Sequence, residues 1–187
     1  MDDALRLRTA RFDLVPLALE HVPALYALMS DARVTEFLAW EPHAGETETR
    51  SVVESLIAAQ TSGHGYHWVV MEDGIVRGLV SLIDVRRTHR AWTLDRAEVA
   101  YWIDPQRQGK GVATEATEAV VECAFAQLGL NRLRISHTSA NAASGRVPQK
   151  LGFRFVGTER QFFKKNDTWY DMNHYEMLAA DWTERRR

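Results

Sequence analysis

Two glycines ahead of a helix form the pattern with the clearest chemical meaning in the sequence. Gly109 and Gly111 follow a predicted strand at residues 98–103 and precede a predicted helix at residues 113–128. The N–H groups of a first helical turn have no acceptor inside the helix, and the helix dipole favours negative charge beside them. Because glycine has no Cβ atom, a ligand can approach its backbone closely. The pattern therefore predicts an anion-binding turn.

Two common phosphate-binding motifs do not fit this turn. A P-loop ends in Gly-Lys-Ser or Gly-Lys-Thr, whereas Gly109-Lys110 is followed here by Gly111. A dinucleotide-binding fingerprint needs a third glycine at the position that Thr114 occupies. A glycine pair alone is also compatible with an ordinary strand-to-helix loop, so the neighbouring residues must decide between the two interpretations.

The residues around the glycines resemble a known pyrophosphate-binding loop. The arrangement Gln106-x-x-Gly109-x-Gly111, with residues 113–116 opening the helix, is similar to that loop in the GNAT superfamily of acyl-CoA-dependent N-acetyltransferases. Two further segments resemble the branch of this superfamily that acetylates the N-termini of ribosomal proteins. They are residues 7–17 and the pair Asn141-x-x-Ser144 followed by residues 149–153. The three matches occur in family order and span nearly the whole chain.

The resemblance implies a fold that agrees with the element pattern. The GNAT fold belongs to the α/β (α+β) class, and we expect a mixed, mostly antiparallel sheet of about seven strands flanked by helices. The pyrophosphate loop should lie between the fourth strand and the following helix. Periodicity predicts strands at residues 11–17, 66–71, 75–85 and 153–158, an amphipathic helix at 46–60 and a polar loop at 86–96. We expect residues 1–187 to form one domain.

The resemblance also implies acetyl-CoA as a cosubstrate and predicts where it binds. The pyrophosphate would lie on the glycine turn, and the pantetheine arm would run along the central strand before it. Asn141 would also contact that arm. The predicted coenzyme-binding residues are Tyr101, Trp102, Ile103, Gln106, Arg107, Gln108, Gly109, Lys110, Gly111, Val112, Ala113, Thr114, Asn141 and Ser144.

Acetyl transfer to an amine needs a held acyl donor, a stabilised oxyanion and removal of a proton from the amine. By resemblance, Ser144 would lie near the sulfur and help to protonate the departing thiolate. Glu98 is the candidate base, directly or through water, although it could also be a strand carboxylate paired with a neighbouring arginine. Tyr101 and Tyr175 are alternative proton carriers. Pro148 should shorten or bend the helix that follows Asn141.

The acceptor side carries the weakest sequence signal. In the family, the early helices and the loops opposite the coenzyme form the acceptor pocket. Those segments offer Phe37, Trp40 and Glu41 as candidate substrate contacts, with the arginine-rich residues 86–92 as a further possibility. A carboxylate would suit a protonated amine, whereas arginines would suit an acidic or phosphorylated acceptor.

Composition narrows the cellular setting. The formal charge of −2 does not favour nucleic-acid binding, and no apolar run has the length of a membrane span. The start lacks the layout of a signal peptide, and Cys123, the single cysteine, suits a reducing cytoplasm. Cys123 falls on the apolar side of its helix, which predicts a buried thiol. The histidines have no metal-ligand spacing, so we expect no metal site.

These observations predict a cytoplasmic acetyl-CoA-dependent N-acetyltransferase acting on a protein N-terminus of the ribosomal-protein type, as a monomer or homodimer. Transfer would be direct within a ternary complex, because no cysteine is placed to form a covalent intermediate. Two alternatives remain open at this point. The acceptor could be a small amine such as an aminoglycoside, a polyamine or an amino-acid derivative. The chain could also be a regulatory module that binds coenzyme A without turnover.

Overall fold

A computed structural model describes residues 5–185 of the chain. Within these residues, eight strands form one sheet in the order β1-β2-β3-β4-β5-β6-β8-β7. Short 3-10 turns at Leu19–His21 and Pro105–Arg107 join longer elements. In chain order, the strands and α-helices are β1 (Leu7–Arg8), β2 (Asp13–Pro16), α1 (Val22–Met29), α2 (Ala32–Thr35), α3 (Glu46–Thr61), β3 (Tyr66–Glu72), β4 (Ile75–His89), β5 (Trp92–Ile103), α4 (Val112–Ala126), β6 (Arg132–Thr138), α5 (Ala142–Lys150), β7 (Arg154–Lys165), β8 (Thr168–Leu178) and α6 (Ala179–Arg185).

The sheet opens between its two central strands. β5 and β6 are parallel neighbours and pair only where residues 96–98 lie beside residues 132–134. Beyond Glu98, β5 continues along β4, whereas β6 continues along β8. The remaining neighbours in the sheet are antiparallel. The sheet is therefore mixed and mostly antiparallel, as the sequence predicts, and it has a V-shaped gap at its centre.

Helices cover the sheet and build a core on each face. One core holds α4 through residues such as Ala116 and Val120, together with Val99 of β5. The other core joins α1 and α3 to β3 and β4, and Trp102 of β5 packs against it. Successive residues of β5 thus contribute to opposite faces, as the two-residue period of a strand requires. This double anchoring fixes β5 at the centre of the molecule.

Three predicted elements differ in the structure. Residues 86–96 do not form a loop, because β4 and β5 extend as an exposed two-stranded ribbon to a turn at Arg90 and Ala91. The predicted first strand at 11–17 is the shorter β2, and β1 precedes it across a turn at residues 9–12, in which Thr9 N–H donates to Phe12 O. The predicted strand 153–158 continues to Lys165. The sheet consequently has eight strands, and the glycine turn follows the fifth strand instead of the fourth.

Candidate active site

A cleft with a volume of about 410 Å³ occupies the gap between β5 and β6. Its walls come from five parts of the chain that are distant in sequence. They are the end of β5, the glycine turn with the first turn of α4, the end of β6, helix α5, and the segment from Arg33 to Leu38. The cleft exists because the pairing of β5 with β6 stops at Glu98.

The edge of β5 that faces the cleft is free to pair with an extended ligand. Over residues 99–103, β5 pairs with β4 on one side, while no strand of residues 5–185 pairs with its other side. Tyr101, Trp102 and Ile103 all line the cleft, as do Val99 and Ala100. An unpaired strand edge offers a row of N–H and C=O groups to a chain that contains amides. Pantetheine is such a chain, so this edge fits the arm of coenzyme A.

The glycine turn presents its backbone to the cleft. Gly109 and Gly111 have φ values of 74° and 80°, in the left-handed region that favours glycine. A Cβ atom at Gly109 would meet no protein atom within 4 Å, so the space beside this backbone is open. The first N–H that finds an acceptor within the turn of α4 belongs to Glu115, which donates to Gly111 O at 3.0 Å. The amides of Val112, Ala113 and Thr114 precede it, and unpaired amides at a helix N-terminus favour an anionic ligand.

Ion pairs hold the two ends of the turn. At its start, Asp104 accepts from the N–H of Gln106 at 2.9 Å and pairs with the partly buried Arg77 at 3.3 Å. Arg77 also pairs with Glu72 at 2.9 Å, and Arg107 pairs with the same carboxylate at 2.7 Å. This network of alternating charges fixes the chain where it leaves β5. Arg107 is part of this network and also lines the cleft.

Arg11 supports the end of the turn that leads into α4. Its guanidinium donates to Lys110 O at 3.1 Å and, through Nε, to the Glu115 carboxylate at 2.7 Å. The backbone N–H of Arg11 donates to the same carboxylate at 3.1 Å. Burial acts to raise the pKa of Glu115, but hydrogen bonds from Thr9 and Arg11 outweigh burial and lower it. The ionised Glu115 also suits the positive end of the α4 dipole. Residues 9–11 therefore tie the start of the chain to the turn.

Helix α5 contributes further cations to the lining of the cleft. Arg146 and Lys150 of α5 both line the cleft and are exposed. Coenzyme A carries a pyrophosphate and a further phosphate, so guanidinium and ammonium groups beside a helix N-terminus suit it. By contrast, Gln106 and Lys110 do not line the cleft, and the turn uses their backbone N–H and C=O groups for its own hydrogen bonds. The side chain of Gln108 lines the cleft and donates to Ile103 O at 3.3 Å.

Tyr101 and Ser144 join the two walls of the cleft. Tyr101 Oη donates to Ser144 O at 2.9 Å, and Ser144 Oγ donates to Tyr101 Oη at 3.1 Å. Burial raises the pKa of Tyr101 well above its ordinary value, although the hydrogen bond from Ser144 acts to lower it. Tyr101 is therefore a neutral phenol that keeps its proton at neutral pH. Asn141 caps α5 by accepting from Ser144 N–H at 3.0 Å.

Pro148 explains why the Ser144 carbonyl is available to Tyr101. In a regular helix, the N–H of residue 148 would donate to the carbonyl of residue 144, and proline has no N–H. The structure places Pro148 inside α5, which continues to Lys150, and the Tyr101 hydroxyl supplies the missing donor. The predicted disturbance of this helix is thus local, since it frees one carbonyl without ending the helix at the proline.

The structure does not bring Glu98 into this site. Glu98 is the last β5 residue that pairs with β6, and its side chain lies in a separate recess of about 80 Å³. Its carboxylate accepts from Arg134 Nε at 3.0 Å across the parallel pair. This is the arginine-paired strand carboxylate that the sequence left open as the alternative. The register, which places Glu98 opposite Arg134, is the physical reason.

Of the three residues predicted for the acceptor side, one lines the cleft and two lie outside it. Phe37 lines the cleft, whereas Trp40 and Glu41 do not. Trp40 packs edge-on against Trp102 with ring centroids 6.3 Å apart. Glu41 is exposed on the surface. Among residues 5–185, Glu36 is the acidic residue that lines the cleft, and the sequence analysis missed it although Phe37 was its neighbour.

His137 also lines the cleft, and no catalytic role was predicted for it from the sequence. Its Nδ1 lies 2.8 Å from Thr138 O, so that nitrogen carries the proton and donates to the carbonyl. Its Nε2 is buried against Gly145, where a Cβ atom would come within 2.7 Å. Tyr175 stacks on the ring with centroids 5.7 Å apart and accepts from Gln149 at 3.2 Å. Tyr175 does not line the cleft, so the reserve proton carrier near the site is Tyr101.

Two classes of site find no support in the part of the chain that the structure covers. Within residues 5–185, no three His, Cys, Asp or Glu side chains are grouped to hold a metal ion. No helix in that same stretch has the length and apolar character needed to cross a membrane.

Fold and cleft together define an acyltransferase of the coenzyme-A-dependent kind, and comparison with known proteins identifies the family. The family model described as "Acetyltransferase (GNAT) domain" matches residues 11–154, so the chain belongs to the GNAT acetyltransferase family. It is an acetyl-CoA-dependent N-acetyltransferase, which confirms the predicted enzyme class and cosubstrate.

Two curated relatives and one solved structure illustrate the similarity. Spermidine N(1)-acetyltransferase of Escherichia coli is 31% identical over 142 residues, which are 76% of this chain and 72% of the relative. Ribosomal-protein-serine acetyltransferase of Escherichia coli is 26% identical over 170 residues, which are 89% of this chain and 92% of the relative. A structure of RimL, a ribosomal alpha-N-protein acetyltransferase, in complex with coenzyme A has a TM-score of 0.85 at 23% identity. That match covers 95% of this chain and 99% of the other, and it confirms the predicted fold.

Proposed function

We propose that this enzyme transfers an acetyl group from acetyl-CoA to the N-terminal amine of a protein of the ribosomal type, directly and in the cytoplasm. The observation that carries the proposal is the cleft itself. A free strand edge, an anion-binding turn and a neutral tyrosine line one space of about 410 Å³. These are the groups that an acyl donor with a pyrophosphate, an amide-containing arm and a thiol leaving group would need.

The chain's own residues account for binding of the coenzyme. When bound, acetyl-CoA supplies the acetyl thioester. The amides of residues 109–114 would hold the pyrophosphate at the positive end of the α4 dipole. The free edge of β5 at residues 100–103 would pair with the pantetheine arm. Asn141, Arg146 and Lys150 would contact the coenzyme from the α5 side, since all three line the cleft.

We assign the proton for the leaving thiolate to Tyr101 and its partner Ser144. The Tyr101 phenol keeps its proton because burial raises its pKa, and it faces the cleft near the C-terminal end of β5. Ser144 Oγ donates to Tyr101 Oη, so a second hydroxyl can replace a proton that the phenol gives up. A neutral hydroxyl with a hydrogen-bonded partner suits a general acid.

Direct transfer is favoured by the environment of the cysteine. Cys123, the single cysteine of the chain, belongs to α4 and is buried in the core. Burial raises the pKa of its thiol to about 11, so almost no thiolate is present at neutral pH. A covalent acetyl-cysteine on this chain would need that thiolate in the cleft, and Cys123 does not line the cleft.

The acceptor would enter past the segment that carries Glu36 and Phe37. Glu36 can receive the positive charge of an alkylammonium group, and Phe37 can pack on its first carbon atoms. This role replaces the one that the sequence analysis suggested for Glu41. It also gives Glu98 no part in the chemistry, since Arg134 holds its carboxylate in a different recess.

Two observations favour a protein N-terminus as the acceptor. The segments at residues 7–17 and 141–153 resemble the ribosomal-protein branch, and one relative is named for acetylating a ribosomal protein. A small polyamine is the second candidate, because a relative at 31% identity is a spermidine acetyltransferase. Both acceptors carry an ammonium group that Glu36 could bind, so the geometry of the cleft suits either one.

The experiment that separates these acceptors is release of free thiol from acetyl-CoA in the presence of two panels. One panel holds peptides that differ in the first residue, with N-terminally blocked copies as controls. The other panel holds spermidine, spermine, an aminoglycoside and free amino acids. The proposal expects turnover on open peptides that begin with serine or alanine and none on the blocked copies. Turnover confined to the small amines would overturn the N-terminal acceptor and support the polyamine acceptor.

A further inference from the structure

A largely buried lysine on the β7–β8 hairpin holds the backbone of the acceptor side of the cleft. Lys165 ends β7, and its side chain is only 11% exposed. Its Nζ donates to three carbonyl oxygens, those of Thr35 at 2.7 Å, Leu38 at 2.9 Å and Trp40 at 3.2 Å. An ammonium group has three N–H donors, so these carbonyls use all of them.

The three carbonyls belong to the segment that forms the acceptor wall. Thr35 ends helix α2, and the backbone from residue 36 to residue 40 has no regular secondary structure. Glu36 and Phe37 lie between the first two carbonyls that Lys165 binds, and both line the cleft. Fixing the carbonyls of residues 35 and 38 therefore fixes the backbone that carries these two side chains.

Other interactions of the segment do not replace this support. Leu38 N–H donates to Thr35 O at 2.9 Å, and His43 N–H donates to Met29 O at 3.1 Å, so each makes one local backbone bond. The Glu41 carboxylate lies 3.4 Å from Lys165 Nζ, but its side chain is 68% exposed, and exposed pairs add little. Without the ammonium, three part-buried carbonyls would need new donors, and the segment would have to move to find them.

We propose that Lys165 is a positioning residue for the acceptor, which sets affinity for the amine without touching the coenzyme. This inference rests on the proposed function, because it takes the segment of residues 33–38 as the acceptor wall. Through Lys165, the β7–β8 hairpin at the edge of the sheet holds the acceptor wall, although the two are more than 120 residues apart in sequence. Lys165 lines no part of the cleft itself, so it acts through the backbone that it holds.

Kinetics with Lys165→Met and the matched control Lys164→Met test this role. Lys164 is the preceding residue, is 46% exposed and pairs with Asp167 at the hairpin turn. Steady-state rates are measured with the best acceptor from the panels. Lys165→Met should raise the KM for the acceptor about ten-fold while the KM for acetyl-CoA stays within about two-fold. Lys164→Met should leave both constants within about two-fold.

Amide hydrogen exchange gives a readout that needs no acceptor. The amides of Leu38 and His43 should exchange at least about ten-fold faster in Lys165→Met than in the wild type, while amides of β5 stay unchanged. If the wild type turns over no amine, the proposed function fails, and exchange alone then decides whether Lys165 holds the segment. Unchanged exchange, or faster exchange with an unchanged acceptor KM, would overturn the inference.

Should Lys165→Met not fold, Lys165→Arg takes its place, because a planar guanidinium retains the charge but cannot converge on three carbonyls. If Lys165→Arg had the same acceptor KM as the wild type, that result would also overturn the inference.

Discussion

At the scale of single residues, Tyr101 connects both walls of the cleft through hydrogen bonds, and its phenol keeps its proton at neutral pH. Its hydroxyl donates to the carbonyl that Pro148 leaves without a helical donor, and it accepts from Ser144. The sequence predicted Ser144 as the catalytic hydroxyl and kept Tyr101 in reserve. The hydrogen bonds make the two a pair, which only the approach of α5 to β5 reveals.

The variant Tyr101→Phe tests this pair. It keeps the ring and its packing but removes the hydroxyl, so a general-acid role predicts a fall in kcat of about 10²-fold. The KM for acetyl-CoA should stay within about two-fold, because the free strand edge binds through backbone groups. Rates are measured by thiol release at saturating concentrations of both substrates.

Tyr175→Phe provides the matched control for that measurement. It also removes one phenolic hydroxyl, which accepts from Gln149 at 3.2 Å outside the cleft. Its kcat should remain within about two-fold of the wild type. Equal losses in the two variants would show that the hydroxyls act only through general packing, and the assignment to Tyr101 would be withdrawn.

Glu98→Gln distinguishes the structural assignment from the one that the sequence favoured. A base at this position would lose at least about ten-fold in turnover when it is replaced by the neutral isostere. The recess that Glu98 shares with Arg134 lies outside the cleft, so we predict a turnover within about two-fold of the wild type. A ten-fold loss with unchanged melting temperature would restore Glu98 to the mechanism.

Among elements, the glycine turn depends on contacts with residues far away in the chain. Arg11 donates both to the carbonyl of Lys110 and to the carboxylate of Glu115, which are on either side of Gly111. These charge-assisted bonds fix the turn and the first residues of α4 in one orientation. They give a physical reason for the arginine in the opening segment that resembles the ribosomal-protein branch.

Arg11→Ala should therefore weaken binding of the donor. We expect the KM for acetyl-CoA to rise about ten-fold, while the acceptor KM changes by less than about two-fold. Arg8→Ala is the control, because Arg8 is 84% exposed and makes one pair with Asp13 at 3.5 Å. Titration calorimetry with coenzyme A checks the same prediction without turnover. Equal affinities in the two variants would mean that Arg11 does not support the turn.

The sequence predicts elements well where burial imposes a pattern. The amphipathic helix predicted at residues 46–60 is α3, which ends one residue later. The ribbon at the ends of β4 and β5 was missed because its residues, such as Arg87 and Thr88, are exposed on both faces and show no alternation. The cleft depends on where the pairing of β5 with β6 stops, and sequence patterns do not report register between distant strands.

At the scale of the whole molecule, the buried His67 couples stability to pH. His67 is 1% exposed, and its Nδ1 lies 2.9 Å from Oγ of Ser81, its partner residue in the β3–β4 pair. Burial lowers its pKa from 6.5 to about 4. As the pH falls below 6.5, His67 becomes protonated in the unfolded chain, whereas in the folded chain it stays neutral down to about pH 4. The stability that His67 contributes is therefore complete above pH 6.5 and is lost as the pH falls towards 4.

This coupling predicts a loss of about 2 kcal/mol in the free energy of unfolding between pH 7.5 and pH 5. Urea unfolding at the two pH values measures it. His67→Asn should flatten this part of the pH dependence, whatever its effect at pH 7.5. His64→Asn is the control, since His64 is exposed and contacts Ser62. If His67→Asn retained the full pH dependence, other groups would be its source.

The placement of coenzyme A in the cleft is tested most directly by the backbone amide shifts in ¹H–¹⁵N spectra as coenzyme A is added. We predict saturable shifts at residues 109–114 of the turn, at residues 100–103 of the free β5 edge and at Asn141 and Ser144. The recess of Glu98 and Arg134 should respond much less. Shifts centred on that recess, or no saturable shifts in the glycine turn, would contradict the placement of the donor and with it the proposed site.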